Sequence, residues 1–246
     1  MLSIVIPCYN ESPNLNVLVA KCFDVVRQNP AVEIILVDNG STDDSPAVMK
    51  KLLLKYQHQN LRTHRVPVNK GYGYGITEGL NCAKGDYLCW THADLQTDLN
   101  DCLTAYELIR GEMSNSSVVK GRRRGRSLFD VLFTQLMSWY VLYKLKVAIS
   151  DINAQPKLFQ KSFWEKIKQH APADFSLDLY VLIQACRENG ISEFPVYFHR
   201  RVAGEAKGGG AGNIRLKYKL AKRTIAYINE LSNEIAHLPH NFHSAV

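Results

Sequence analysis

The chain has 246 residues, with 30 Lys+Arg against 23 Asp+Glu, a formal charge of +7, 46% hydrophobic residues and 22% charged residues. This composition excludes wholesale disorder and collagen-like repeats, and the length allows a large core without cross-links. The positive balance points to an anionic partner: nucleic acid, an anionic membrane surface or a phosphorylated small molecule.

In chain order, Leu2 to Ile6 predicts a short strand ending at Pro7, and Leu15 to Val26 has helical spacing. Glu33 to Val37 predicts a second strand, closed by Asp38-Asn39-Gly40-Ser41. Pro46 to Tyr56 predicts a helix with proline near its start, where a missing N–H costs little. Leu61 to Val66 predicts a third strand, Thr77 to Ala83 a helix and Asp86 to Trp90 a fourth strand. Apolar strands separated by helices imply an α/β fold, a mostly parallel central sheet with helices on both faces. Ligands bind such sheets at the carboxyl ends of the strands.

The second half is less regular. A basic run (Lys120, Arg122, Arg123, Arg124, Arg126) precedes a long apolar stretch from Leu128 to Ile149. Asp151 to Lys157 is turn-like, Ser176 to Glu188 predicts a helix and Glu193 to His199 a strand. Gly204 to Gly212 is expected to be a mobile loop and Asn213 to His237 a basic amphipathic helix. The expected organisation is one domain over residues 1–246, with a donor half (1–100), an acceptor half (101–212) and a C-terminal helix and tail (213–246). The six cysteines form no C-x-x-C pair, and most lie in apolar runs where cysteine acts as a small hydrophobe. Met1 leads straight into a strand-like run, without a leader pattern or a membrane span, so the expected location is a reducing cytosol.

Four polar clusters follow the predicted strands, at Pro7-Cys8-Tyr9-Asn10-Glu11, Val37-Asp38-Asn39-Gly40-Ser41-Thr42-Asp43, Asn69-Lys70-Gly71-Tyr72-Gly73 and Thr91-His92-Ala93-Asp94-Leu95-Gln96. In order and spacing they resemble the motifs of family 2 glycosyltransferases: the strand-and-turn opening, V-D-D-G-S-x-D, N-x-G-x-G and the metal motif. The resemblance is nearest to the dolichol/polyprenyl-phosphate mannose synthase-like branch. It implies a GT-A nucleotide-binding fold, an inverting, metal-dependent transfer and a nucleotide-diphosphate sugar as donor.

On that resemblance, Pro7, Tyr9, Glu11 and Asp38 would line the base slot. Asn39 departs from the usual second Asp, keeping an acceptor and adding a donor. An Asx-turn is the plainer reading of Asp38 and Asn39. Lys70 and Gly71 would meet the diphosphate, because glycines admit a close ligand and a helix N-terminus favours an anion. Asp94 would be the main ligand of a divalent cation (Mn²⁺ or Mg²⁺), with Gln96 assisting and Ala93 beside the nucleotide. His92 stands where the family has its first Asp. It would bind ribose or tune the metal, and a nitrogen ligand suits Mn²⁺ better than Mg²⁺.

Further along, Val119-Lys120-Gly121-Arg122-Arg123 resembles V-x-G-S-R, which makes Arg123 the candidate for an acceptor phosphate. Lipid-phosphate synthases tend to carry an Arg and then a Ser at the start of the next helix. Asp130 and Thr134 stand there instead, which weakens the case for a phosphate acceptor. Asp151 to Phe159 takes the place of D-x-x-D-P-x-S-G-F, and Phe175 to Leu179 that of the acidic helix start. Ser176 is a candidate cap for that helix. Arg201 to Lys207 resembles R-x-x-G-x-S-K, a loop closing over the diphosphate, with Arg201 and Lys207 stabilising the leaving group.

A phosphate acceptor needs no base, whereas a hydroxyl acceptor does, and Asp178 and Asp151 are the candidates. The expected acceptor is a polyprenyl phosphate or a glycan. The alternatives are a hydroxyl-acceptor transferase of surface polysaccharide or lipid-linked oligosaccharide synthesis, and a catalytically silent nucleotide-binding homologue. The basic run and the aromatic-rich helix would also suit a peripheral enzyme at the inner membrane face. No nucleic-acid partner is expected, because the basic residues do not interleave with stacking aromatics.

Overall fold

The structure, a computed structural model, describes residues 1–199 and 214–236. Strands β1 (Leu2–Cys8), β2 (Val32–Asn39), β3 (Leu61–Val66), β4 (Tyr87–Trp90), β5 (Val118–Arg124), β6 (Lys157–Gln160) and β7 (Ile191–Tyr197) form one sheet in the order β3-β2-β1-β4-β6-β5-β7. The strands from β3 to β4 in that order are parallel, as are β5 and β7. Among the described strands only β6 runs antiparallel, between β4 and β5. The architecture is the expected GT-A α/β sandwich.

Helices cover both faces: α1 (Ser12–Gln28), α2 (Ser45–Tyr56), α3 (Tyr72–Cys82), α4 (Asn100–Arg110), α5 (Leu128–Leu145), α6 (Lys161–Ile167), α7 (Leu177–Arg187) and α8 (Ile214–Ala236). Alternation along β1 divides the core. Leu2, Ile4, Ile6 and Cys8 join the cluster under α1, α2 and α4. Val5 joins the cluster under α3 and α5 to α8. Every residue of β2 is buried, which is what a strand covered on both faces requires.

Several elements differ from the sequence reading. The basic run is β5, and its Lys120 is fully buried. The turn-like segment ends in β6, while α4 and α6 were not expected. Helix α3 begins at Tyr72, inside the glycine run, rather than at Thr77. Glycine costs a helix about 1 kcal/mol against alanine. Here the Ala173 carbonyl accepts from Tyr74 N at 2.8 Å and helps secure that first turn. The glycine-rich tract 204–212 lies outside the described residues.

Candidate active site

Strands β1, β2 and β4 end at one edge, and their following loops gather there. Asp38 closes β2, opposite Cys8 of β1. Its Oδ1 accepts from Ser41 N at 3.0 Å, so the Asx-turn is present. Its buried Oδ2 has no hydrogen bond and lies 3.4 Å from Arg65 Nε of β3. A carboxylate at a strand end suits the polar edge of a base. Glu11 is buried, and its carboxylate accepts from Asn14 Nδ2 at 2.7 Å. Pro7 and Tyr9 are half-buried at the β1 end, and Ala93 is buried after β4.

Asn39 has a local structural task. Its Nδ2 donates to the Gly71 carbonyl at 2.9 Å, from a fully enclosed position. An aspartate there would set a carboxylate against a carbonyl. The glycine run has a further cause as well. A Cβ on Gly71 would lie 2.2 Å from the Ala173 carbonyl oxygen, and one on Gly73 2.3 Å from that of Pro172. The backbone that approaches these glycines is the chain's own segment 172–174. Lys70 is exposed, with its ammonium 5.0 Å from the Tyr74 ring centre.

The β4 loop carries His92, Asp94 and Gln96. Leu95 takes a left-handed conformation (φ 59°), and Gln96 N donates to Asp94 Oδ1 at 3.1 Å. Gln96 Nε2 donates to the His199 carbonyl at 3.1 Å. Burial pulls the His92 imidazole below its ordinary pKa. Asp94 and Asp178 oppose this, while Lys157 and Arg123 reinforce it. Among the described residues, no three His, Cys, Asp or Glu side chains form a complete metal cage. Mg²⁺-type ions commonly take one or two carboxylates and draw their other ligands from substrate phosphates and water. Asp94, with the amide oxygen of Gln96, fits such a partial set.

Tyr72 joins the two halves of the site. It stacks on Phe175 at 4.6 Å, lies 5.8 Å from His92, and accepts from Gln155 Nε2 at 3.3 Å. Burial raises its phenol well above the ordinary value, and the charges of Asp178 and Asp94 push the same way.

On the acceptor side, Asp178 enters from the first turn of α7 and is buried. It forms an ion pair with Lys157 of β6, which is itself fully enclosed. Gln155 Nε2 donates to the same carboxylate oxygen at 3.0 Å. Lys157 also donates to the Ala154 carbonyl at 2.9 Å and lies 5.6 Å from the Trp90 ring centre. Burial pulls its pKa down to about 8, against the pull of Asp178. Ser176, the expected cap, makes no capping bond; its own N–H donates to Asp174 Oδ1 at 2.8 Å.

Asp151 is held by two guanidiniums. Arg123 reaches it through its backbone N at 2.9 Å and through Nε at 3.0 Å, and Arg126 approaches at 3.4 Å. Burial would raise this carboxyl; the bonds and charge of Arg123, with Arg126 behind, outweigh it and hold the pKa below the usual value. A base needs a pKa near the working pH, so this environment argues against Asp151 in that role. Arg126 donates to Thr134 Oγ1 at 3.3 Å. An arginine from the preceding loop thus reaches the first turns of α5.

Lys157, Gln155 and Tyr72 escaped the sequence reading as site residues. The available signal was a lysine inside the apolar run Pro156-Lys157-Leu158-Phe159, a residue that needs a counter-charge when it is buried. Arg201 and Lys207 lie outside the described residues.

Residues 3–170 match the family described as Glycosyl transferase family 2. The chain belongs to this family. It is 28% identical over 228 residues to an undecaprenyl-phosphate 4-deoxy-4-formamido-L-arabinose transferase of Edwardsiella ictaluri (strain 93-146), covering 89% of this chain and 66% of the relative. It is 25% identical over 129 residues to a dolichyl-phosphate beta-glucosyltransferase of Dictyostelium discoideum, covering 50% of this chain and 39% of the relative. The chain thus spans less than two thirds of either relative. The fold resembles glucosyl-3-phosphoglycerate synthase from Mycobacterium tuberculosis, solved with Mn²⁺, UDP and phosphoglyceric acid, at a TM-score of 0.71 and 16% identity, covering 98% of this chain and 80% of that one.

Proposed function

We propose that this chain is an inverting glycosyltransferase that moves a sugar from a nucleotide-diphosphate donor to a polyprenyl phosphate. The observation that carries the choice of acceptor is the state of the two candidate bases. Asp151 is committed to Arg123 and Arg126, and Asp178 to Lys157. Both carboxylates are engaged in ion pairs. An anionic phosphate oxygen needs no base and can attack the anomeric carbon directly, on the face opposite the diphosphate. Arg123 and Arg126 stand together beside the start of α5, and guanidinium forks suit a phosphate. The two curated relatives, named for undecaprenyl phosphate and dolichyl phosphate, support the same reading.

On the donor side, Asp38 would bind the base edge, with Pro7, Tyr9 and Glu11 framing the slot. Asp94, Gln96 and His92 would hold a divalent cation, which neutralises charge on the leaving diphosphate. Lys70, Arg201 and Lys207 would supply further positive charge. A hydroxyl acceptor is the second reading, favoured by the entry of Asp178 next to Tyr72 and His92. It requires Lys157 to release Asp178.

The test is release of nucleoside diphosphate from a panel of nucleotide sugars with Mn²⁺, with and without polyprenyl phosphate. Turnover that depends on the lipid phosphate is the expected result. Tight donor binding without turnover under any condition would support the silent alternative instead. In the same assay, Asp94→Ala is expected to abolish the dependence on Mn²⁺.

A further inference from the structure

Helix α5 turns its apolar side outward. Val141 and Leu145 face the core with Ile228 and Leu231 of α8, and Tyr140 Oη donates to Asn229 Oδ1 at 2.7 Å. That packing fixes the rotation of α5 and leaves Leu128, Leu132, Leu136, Trp139, Leu142 and Tyr143 between 45% and 89% exposed. At about 100° per residue these six positions fall within an arc of roughly 120°, so they form a continuous stripe. Only Gln135 interrupts it. Surface helices of soluble domains put charge there, and an exposed stripe of this kind marks an interaction site.

The surroundings select the occupant. Lys144 and Lys146 are exposed and hold their ammoniums 5.9 and 5.5 Å from the Tyr143 ring centre. Arg122 and Arg124 are exposed just before the other end of the helix. An apolar stripe with Trp and Tyr in it and basic residues at both ends complements an anionic bilayer: acyl chains take the leucines, the interface takes the aromatic rings, and headgroups meet the cations. No helix among the described residues is long and apolar enough to cross a membrane.

We propose that the outward face of α5 is a docking surface for an anionic lipid bilayer, entered in the plane of the interface. The proposal deepens the polyprenyl-phosphate reading, since Arg126 and Thr134 at the start of this helix would then stand at headgroup depth. The surface itself is tested independently of any turnover.

Of the three tryptophans, Trp90 and Trp164 are fully buried and Trp139 is exposed. Intrinsic fluorescence therefore reports on α5. Vesicles of phosphatidylcholine with phosphatidylglycerol are expected to pellet the full chain, shift Trp139 emission to the blue and allow quenching by brominated acyl chains. Phosphatidylcholine alone, or high salt, should weaken all three effects. Leu132→Gln/Leu136→Gln should lower vesicle partitioning by about tenfold or more, while thermal unfolding stays unchanged because both side chains are exposed. Unshifted Trp139 emission, or binding unaffected by the double substitution, would overturn the proposal. So would a dimer in lipid-free sedimentation that the double substitution dissolves, which would make the stripe a contact between copies. Intact vesicle binding with no sugar transfer would count against the transferase reading alone.

Discussion

The donor-side loops and the acceptor-side core hold buried charge differently: Glu11 and Asp38 accept from neutral amide donors, whereas the acceptor side pairs each buried charge with an opposite one. After β1 and β2, polar side chains are joined to nearby loops through neutral or Asx-type bonds, such as Asn10 Oδ1 accepting from Thr42 N at 2.8 Å and Asp38 accepting from Ser41 N. Between residues 118 and 178 the chain buries charges of both signs: Lys120, Asp151, Lys157 and Asp178. Each is matched, Lys120 by Glu193 at 2.8 Å and the others by one another or by Arg123 and Arg126. The donor side can thus lose one contact at modest cost. On the acceptor side, removing one partner strands a charge away from water.

The largest expected effect follows from that difference. Lys157→Met leaves the Asp178 carboxylate buried without its counter-ion and should cost about 3–5 kcal/mol of folding stability. Chemical denaturation would measure it, and adding Asp178→Asn should recover most of the loss. If the single substitution is neutral, the pair is not the enclosed ion pair described here.

Asp151→Asn comes next, since it removes the carboxylate between Arg123 and Arg126. It should also change the acid limb of stability. The folded pKa of Asp151 is held below its unfolded value of about 3.9, so its contribution is present above that pH and is lost as pH falls through the folded pKa. Unfolding followed below about pH 4 should therefore be steeper for the parent chain than for the variant. Equal slopes would remove Asp151 from the account.

The donor side supplies the smallest effect. Asn39→Asp exchanges the donor to the Gly71 carbonyl for an oxygen and should cost about 1–3 kcal/mol. A fall in melting temperature without a change in donor preference is the expected outcome. A switch in preferred nucleotide would instead put Asn39 in the base slot.

The same contrast explains what the sequence could and could not convey. Strands β1 to β4 are apolar runs ending in short-range turn motifs, so both the parallel sheet and the residues at its edge were legible. Strand β6 is four residues long and starts with a lysine, and β5 opens with two valines but ends in a basic run. Neither shows the usual period, because their charges are cancelled by residues distant in the chain: Asp178 lies 21 positions from Lys157, and Asp151 28 from Arg123. The pattern of a buried pair exists only in three dimensions. Helix α5 was visible as a long, aromatic-rich apolar stretch, but which side faces out was decided by where α8 packs.

The most direct test of the central claim, that no carboxylate of this site serves as a base, is single-turnover transfer to polyprenyl phosphate by the charge-neutral pair variant Lys157→Met/Asp178→Asn. The ion pair is removed as a unit, so no charge is stranded. The account predicts a rate within about tenfold of the parent chain at saturating donor. General-base catalysis contributes about 10²–10⁴-fold. A loss of that size, in a variant that remains folded and binds donor normally, would place proton transfer in the Asp178–Lys157 pair and would contradict the account.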